Sequence, residues 1–191
     1  DVYVSGVHLA HHDGGYSTWR VNVTEQFNAA EKPLVAVAVD NAPNREVYPQ
    51  MADFTFYGGI YRDVNILCVS KSRFDLDYFG GPGIMVTPVV EGAHAKVEVV
   101  PYFTGLSGNE VVKYVIKDGE AVVARAEVPA AEGQTNLVIE NAHLWNGRKD
   151  PFLYTLEAVL MDGEKELDTR SVRFGCRYFE IDPERGFILN G

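Results

Sequence analysis

Cysteine is scarce in this chain: Cys68 and Cys176 are the only two among 191 residues. They stand far apart and form no Cys-x-x-Cys pair, which excludes a zinc ribbon and a thioredoxin-like redox site. A disulfide-stapled scaffold is excluded too. Long apolar runs are also missing, and none approaches the ~20 residues that would cross a bilayer as a helix. Positive charge is in short supply: 17 Lys and Arg face 27 Asp and Glu, for a net charge of −10. Such a surface repels a nucleic-acid duplex or an anionic membrane unless a local basic patch intervenes. The longest basic clusters, Lys71–Ser72–Arg73 and Arg148–Lys149, are too short to make one. Neither nucleic acid nor membrane is therefore expected as a partner. The chain also lacks a Gly-x-Ser-x-Gly elbow, a phosphate-binding glycine loop and a His-Glu-x-x-His run.

What is present is ordinary globular material, 46% hydrophobic and 23% charged. The length suits one large domain or two small ones. The dominant period is two. Trp19, Val21 and Val23 alternate with polar neighbours, as do Val35, Val37 and Val39, and Val64, Ile66 and Cys68. The same holds for Ala95/Val97/Val99, Val112/Tyr114/Ile116, Val122/Ala124/Ala126/Val128 and Tyr154/Leu156/Ala158/Leu160. Strands of this kind bury one face and leave the other wet. Asp118–Gly119 and Asp162–Gly163 each join two such runs, a strong hairpin signal. No segment of helical length carries a 3.6-residue stripe. The fold class is therefore all-β.

A boundary is expected near residues 70–82, where Ser70–Lys71–Ser72–Arg73 and Gly80–Gly81–Pro82–Gly83 break the alternation. Beyond it, about seven strands run from Ile84 to Phe174, the rhythm of an immunoglobulin-like sandwich. Before it stand about four, too few to close a sandwich well. The tail from Tyr178 to Gly191 reads as a short hairpin around Asp182–Pro183–Glu184–Arg185–Gly186. The chain opens on Asp1, already inside a strand-like run, and is expected to be a piece of a longer polypeptide.

Three constellations bear on chemistry. His8, His11, His12 and Asp13 form a polar cluster, and His8 and His12 could share a strand face. Asp13–Gly14–Gly15 reads as the turn ending that strand, so solvated hairpin residues are the preferred reading and no metal site is assigned. Glu46, Asp53 and Asp63 are close in sequence, and glycoside hydrolysis needs a carboxylate pair across a pocket. Acidic residues near loops are more often simply solvated. The aromatic run from Asp53 to Val64, Asp-Phe-Thr-Phe-Tyr-Gly-Gly-Ile-Tyr-Arg-Asp-Val, does not alternate cleanly. Rings beside a carboxylate suit a sugar, since rings cover its C–H face and the carboxylate accepts from its hydroxyls. A core-filling bend explains the same residues as well.

The run Ala52–Val64 resembles the end of the sugar-binding jelly-roll domain of glycoside hydrolase family 2, the family of β-galactosidases, β-glucuronidases and β-mannosidases. His12–Asp13–Gly14–Gly15–Tyr16, Val21–Asn22–Val23–Thr24 and Val39–Asp40–Asn41 resemble the segments that precede it. Leu144–Trp145 and Pro151–Phe152–Leu153–Tyr154–Thr155–Leu156 resemble the family's immunoglobulin-like second domain. Phe174–Gly175–Cys176–Arg177 and Gly186–Phe187–Ile188–Leu189–Asn190–Gly191 resemble the link into its catalytic barrel.

The resemblance implies four parts. Residues 1–71 would be the C-terminal part of a galactose-binding-like jelly roll, 72–82 a linker, 83–177 an immunoglobulin-like sandwich, and 178–191 a hairpin leading into the barrel. Both catalytic glutamates of the family lie in that barrel, so no catalytic residue is assigned here and no cofactor is implied. One binding residue carries over: Asp53, which would hold sugar hydroxyls of a β-linked oligosaccharide or glycoside in the full-length protein. Arg62 and Asp63 are read as a charge pair, Arg177 as satisfying polar groups at the domain junction, and Trp145 as packing over the end of the second sandwich. The short connection 42–52 favours the galactosidase side. The competing reading is a stand-alone carbohydrate-binding or adhesion module of two β-sandwiches. The compartment is left unassigned.

Strand edges without partners in the first half pair readily between copies. The chain is therefore expected to self-associate, and light scattering that shows a strict monomer at high concentration would oppose this.

Overall fold

The computed structural model describes residues 1–47 and 51–191, and the chain divides into two compact units, Asp1–Leu67 and Cys68–Gly191. The first unit holds β1 (Val2–Val4), β2 (Val7–Ala10), the short helix α1 (Thr24–Ala29) and β3 (Val35–Val37). Its sheet runs β2–β1–β3, antiparallel throughout. The second unit holds β4 (Arg73–Phe74), β5 (Ile84–Glu91), β6 (His94–Pro101), β7 (Phe103–Thr104), β8 (Val111–Asp118) and β9 (Ala121–Pro129). It continues with β10 (Thr135–Ile139), β11 (Tyr154–Asp162), β12 (Lys165–Phe174), β13 (Phe179–Asp182) and β14 (Gly186–Leu189). Among the described residues the structure is all-β apart from α1. No helix among the described residues is long and apolar enough to cross a membrane.

The second unit is a β-sandwich. One sheet runs β10–β6–β5 and the other β12–β11–β8–β9. The alternation explains why they meet. Ala95, Val97 and Val99 of β6 point inward with Leu137 and Ile139 of β10. Against them lie Val112, Tyr114 and Ile116 of β8 and Leu156, Ala158 and Leu160 of β11. All ten are buried. Burying a Val, Leu or Ile side chain contributes about 1.5–3 kcal/mol, so these facing stripes dominate the unit's stability. Tyr114 is admitted to this core because its hydroxyl donates to the Gly133 carbonyl at 2.8 Å. Burial holds its phenol well above the usual tyrosine range.

Both expected hairpins form, one residue later than the Asp-Gly pairs suggest. Asp118 still pairs with Ala121, and Asp162 with Lys165. The loops are Gly119–Glu120 and Gly163–Glu164, with φ of 55° and 58° at the glycines. A two-residue loop needs positive φ at its first position, so glycine occupies it and aspartate closes the ladder. The tail hairpin also forms, with Phe179 opposite Leu189 and Ile181 opposite Phe187.

Two expected strands do not form. Trp19–Val23 and Val64–Cys68 enter no ladder. Near the first, the Asn22 side chain accepts the Thr24 N–H at 3.0 Å and turns the chain into α1. Near the second, Val64, Ile66 and Leu67 stay exposed.

Two carboxylates organise the second unit. Asp168 accepts the Phe74 N–H at 3.0 Å and the Arg170 guanidinium at 2.6 Å. Arg170 donates onward to the Pro82 carbonyl at 2.9 Å and lies over the Phe74 ring. The segment between Phe74 and Pro82 is thus pinned at both ends to β12. Gly83 closes it: a Cβ there would run into the Asp75 backbone. Glu110 is 3% exposed and accepts from the Ser107 N–H at 2.9 and 3.0 Å and the Gly108 N–H at 2.9 Å. These backbone donors, Ser107 foremost, hold its carboxyl down to about 2 although burial opposes them.

A carboxyl whose folded pKa is depressed stabilises the fold above its unfolded pKa and loses that contribution as pH falls through the folded value. Glu110 therefore contributes fully above about pH 4.5 and progressively less towards pH 2. Glu110→Gln is expected to cost about 1.5–3 kcal/mol at neutral pH. Urea melts across the acid range should show the gap between variant and parent closing in that window.

Candidate functional site

The aromatic run and the segments expected beside it are brought together in the first unit. The Asn41 side chain donates to the Phe56 carbonyl at 3.1 Å. Its amide also lies close over Gly58, 3.1 Å from where a Cβ would stand, so a larger residue there would have to push the Asn41 side chain aside by a few tenths of an ångström. The Tyr61 hydroxyl donates to the Gly15 carbonyl at 3.2 Å, and Asn44 donates to Asp13 at 3.2 Å. Three stretches separated in sequence are thus tied by side chains to one another.

Asp53 opens the run on an exposed bend, followed by Phe54, whose ring stacks on Phe56 at 4.9 Å. Phe54 and Tyr57 are exposed, as is Tyr61 despite its hydroxyl bond. Among the described residues the Asp53 carboxylate enters no hydrogen bond or ion pair. The arrangement presents an open acceptor beside exposed rings. It can accept hydroxyl hydrogen bonds and cover a C–H face.

The other candidates fare differently. Arg62 does not pair with Asp63; its guanidinium sits 5.3 Å from the centre of the Tyr61 ring. The charge-pair expectation is corrected: in water a cation gains as much from its neighbouring ring as from an exposed carboxylate. Glu46 uses its backbone N–H to close a turn on Asn44, and Asp63 stays exposed. The histidines form a hydrogen-bonded chain: His8 to Asp1 at 2.7 Å, Asp1 to His11 at 3.2 Å, and His11 to Asp13 at 3.2 Å. His12 leaves that chain and stacks on Trp19. Among the described residues no group of three or more His, Cys, Asp or Glu side chains could hold a metal ion.

Sequence reasoning missed a cleft in the second unit. It measures about 340 Å³ and lies between β5 and the loop that carries Trp145. Val86, Pro88, Trp145, Leu153, Phe174 and Arg177 line it. The Trp145 N–H donates to the Cys176 carbonyl at 2.8 Å, and Asn190 of the tail donates to the Trp145 carbonyl at 3.0 Å. The Arg177 guanidinium lies 4.9 Å from the indole centre. These residues come from segments far apart in sequence, so no spacing signals them. The lining carries one cation and no carboxylate or nucleophile, so the cleft can pack or bind but offers no acid/base pair. Cys176 beside it is buried, and burial pushes its thiol up to about 11, away from the thiolate form.

The family model for glycosyl hydrolases family 2 matches residues 83–177. A β-glucuronidase of Bacteroides fragilis is 34% identical over 202 aligned residues, covering all of this chain and 29% of that protein. A β-galactosidase of Bacteroides ovatus is 28% identical, again over the whole chain and 23% of its own length. Among solved structures, an FMN-binding β-glucuronidase from Facaelibacterium prausnitzii L2-6 superposes with a TM-score of 0.89 at 35% identity, over all of this chain and 30% of that one. The chain thus spans less than a third of the length of these relatives. The sandwich, the motif order and the whole-chain matches agree: this chain belongs to glycosyl hydrolases family 2.

Proposed function

We propose that this chain is a non-catalytic β-sandwich portion of a retaining β-glycosidase. In this reading residues 1–71 are the C-terminal part of a sugar-binding jelly roll and 83–177 an immunoglobulin-like spacer. Residues 72–82 link them, and 178–191 lead towards a catalytic barrel. The barrel would supply the acid/base and the nucleophile of a double displacement. This chain would supply scaffold and one wall of the sugar pocket through Asp53.

The observation that carries the reading is the exposed Asp53 carboxylate at the head of an aromatic run held in place by Asn41 and Tyr61. A carboxylate so placed can orient a sugar hydroxyl without joining bond cleavage, which lowers the barrier by positioning alone. The glycosidase names of the relatives support the same class. Two sugars are supported by different observations. The short connection 42–52 favours a β-galactoside, and the 34% identical relative favours a β-glucuronide.

The test uses the full-length protein and the isolated chain on nitrophenyl β-galactoside and nitrophenyl β-glucuronide. The isolated chain is expected to turn over neither. Asp53→Ala in the full-length protein is expected to lower kcat/KM at least ~100-fold, in the range lost when a positioned substrate is misplaced. Its melting temperature should stay unchanged. An unchanged rate would remove Asp53 from the site, and turnover by the pure isolated chain would overturn the non-catalytic assignment.

A further inference from the structure

Phe79 is the most exposed large apolar side chain among the described residues, at 91%. Its backbone is unusual as well. Phe79 and Gly80 have successive φ values of 47° and 65°, and the Gly81 N–H donates to the Tyr78 carbonyl at 2.9 Å. This is a tight turn with two left-handed central residues, a geometry that selects Asn, Asp or Gly at its first central position. A bulky aromatic there is disfavoured, and this one gains nothing by burial. Neither backbone preference nor packing accounts for a phenylalanine at the tip.

Its surroundings are built. The ring meets Tyr78 edge-on at 5.0 Å, and Tyr78 stacks on Tyr102 at 4.0 Å with the planes 16° apart. The Tyr102 hydroxyl donates to Tyr78 at 3.3 Å. Tyr102 is bonded on both sides, its N–H to Gly83 and its carbonyl to the Asp75 N–H, each at 2.8 Å. Asp77 stands exposed two residues before the tip. The result is an aromatic ladder carrying two phenolic hydroxyls, with an exposed carboxylate two residues before its tip. These polar groups accept from or donate to hydroxyls, while the exposed ring offers a flat apolar face. The exposed Asp77 near the tip and the chain's net charge of −10 disfavour anionic ligands such as nucleic acid.

We propose that the Tyr78–Phe79–Tyr102 ladder is a carbohydrate-binding surface, with Phe79 stacking on a pyranose ring of a neutral β-linked oligosaccharide and Asp77 accepting its hydroxyls. This surface lies in the second unit, and the inference does not rest on the role given to Asp53.

The test is a chemical-shift titration of the whole 191-residue chain with galactohexaose and with xylohexaose. Shifts at Asp77–Gly81 and Tyr102 are expected, whether or not any appear at Asp53–Tyr61. Phe79→Asn separates binding from folding, because asparagine suits a left-handed turn and removes the ring. It should raise the melting temperature by about 2–4 °C and weaken binding about tenfold. Phe79→Gly serves the same purpose should the asparagine variant not fold, and Phe79→Trp should retain binding. Absence of shifts with both sugars would overturn the proposal, as would unchanged binding by the ring-less variants. So would a Phe79→Asn variant that folds but dissolves a dimer, since the ring would then be an interface between copies.

Discussion

The second unit depends on one constraint: the inner faces of β8 and β11 must be kept from water. Val112, Tyr114 and Ile116 lie beside Leu156, Ala158 and Leu160 on a single sheet face. That face is too apolar to be solvated, and the β10–β6–β5 sheet is the lid over it. The polar devices are consequences of the lid. Tyr114 reaches Gly133 because its hydroxyl lies under the lid, and Glu110 gathers backbone donors because β8 begins beneath it. Asp168 and Arg170 then fasten the incoming segment to the rim through Phe74 and Pro82.

The first unit is organised differently. Val4 is its one buried apolar residue among those described. Its loops are joined by side-chain bonds to backbone carbonyls, from Asn41 to Phe56 and from Tyr61 to Gly15. Each such bond contributes only ~0.5–1.5 kcal/mol. They are directional, so they define where a loop goes better than how firmly it is held. In the function proposed above this would suit Asp53, whose role is to orient a sugar hydroxyl.

This difference decides what could be read from the residues. Period-two alternation reveals a strand whose two faces meet different media. It succeeded for β6, β8, β9 and β11, where a facing sheet supplies that contrast. For Val64–Cys68 and Trp19–Val23 the same alternation misled, because a strand also needs a neighbour for its backbone and none is paired there. The turns were legible to within one residue, since Gly119 and Gly163 mark the position where φ must be positive. The aromatic run was visible through its composition. The bonds that seat it were not, because Asn41 and Gly15 lie far from it in sequence. Phe79 was hidden for the opposite reason: beside Gly80 and Gly81 it read as linker.

The two thiols differ in a way that extends to the chain's handling in solution. Cys68 is exposed at the first residue of the second unit, and Cys176 is buried with its proton held tightly. A maleimide dye at neutral pH would therefore mark one address in the native chain, at the start of the second unit. Cys176 would stay silent until the sandwich opens. Its labelling rate is then a clock for opening of the native fold, built in without any substitution.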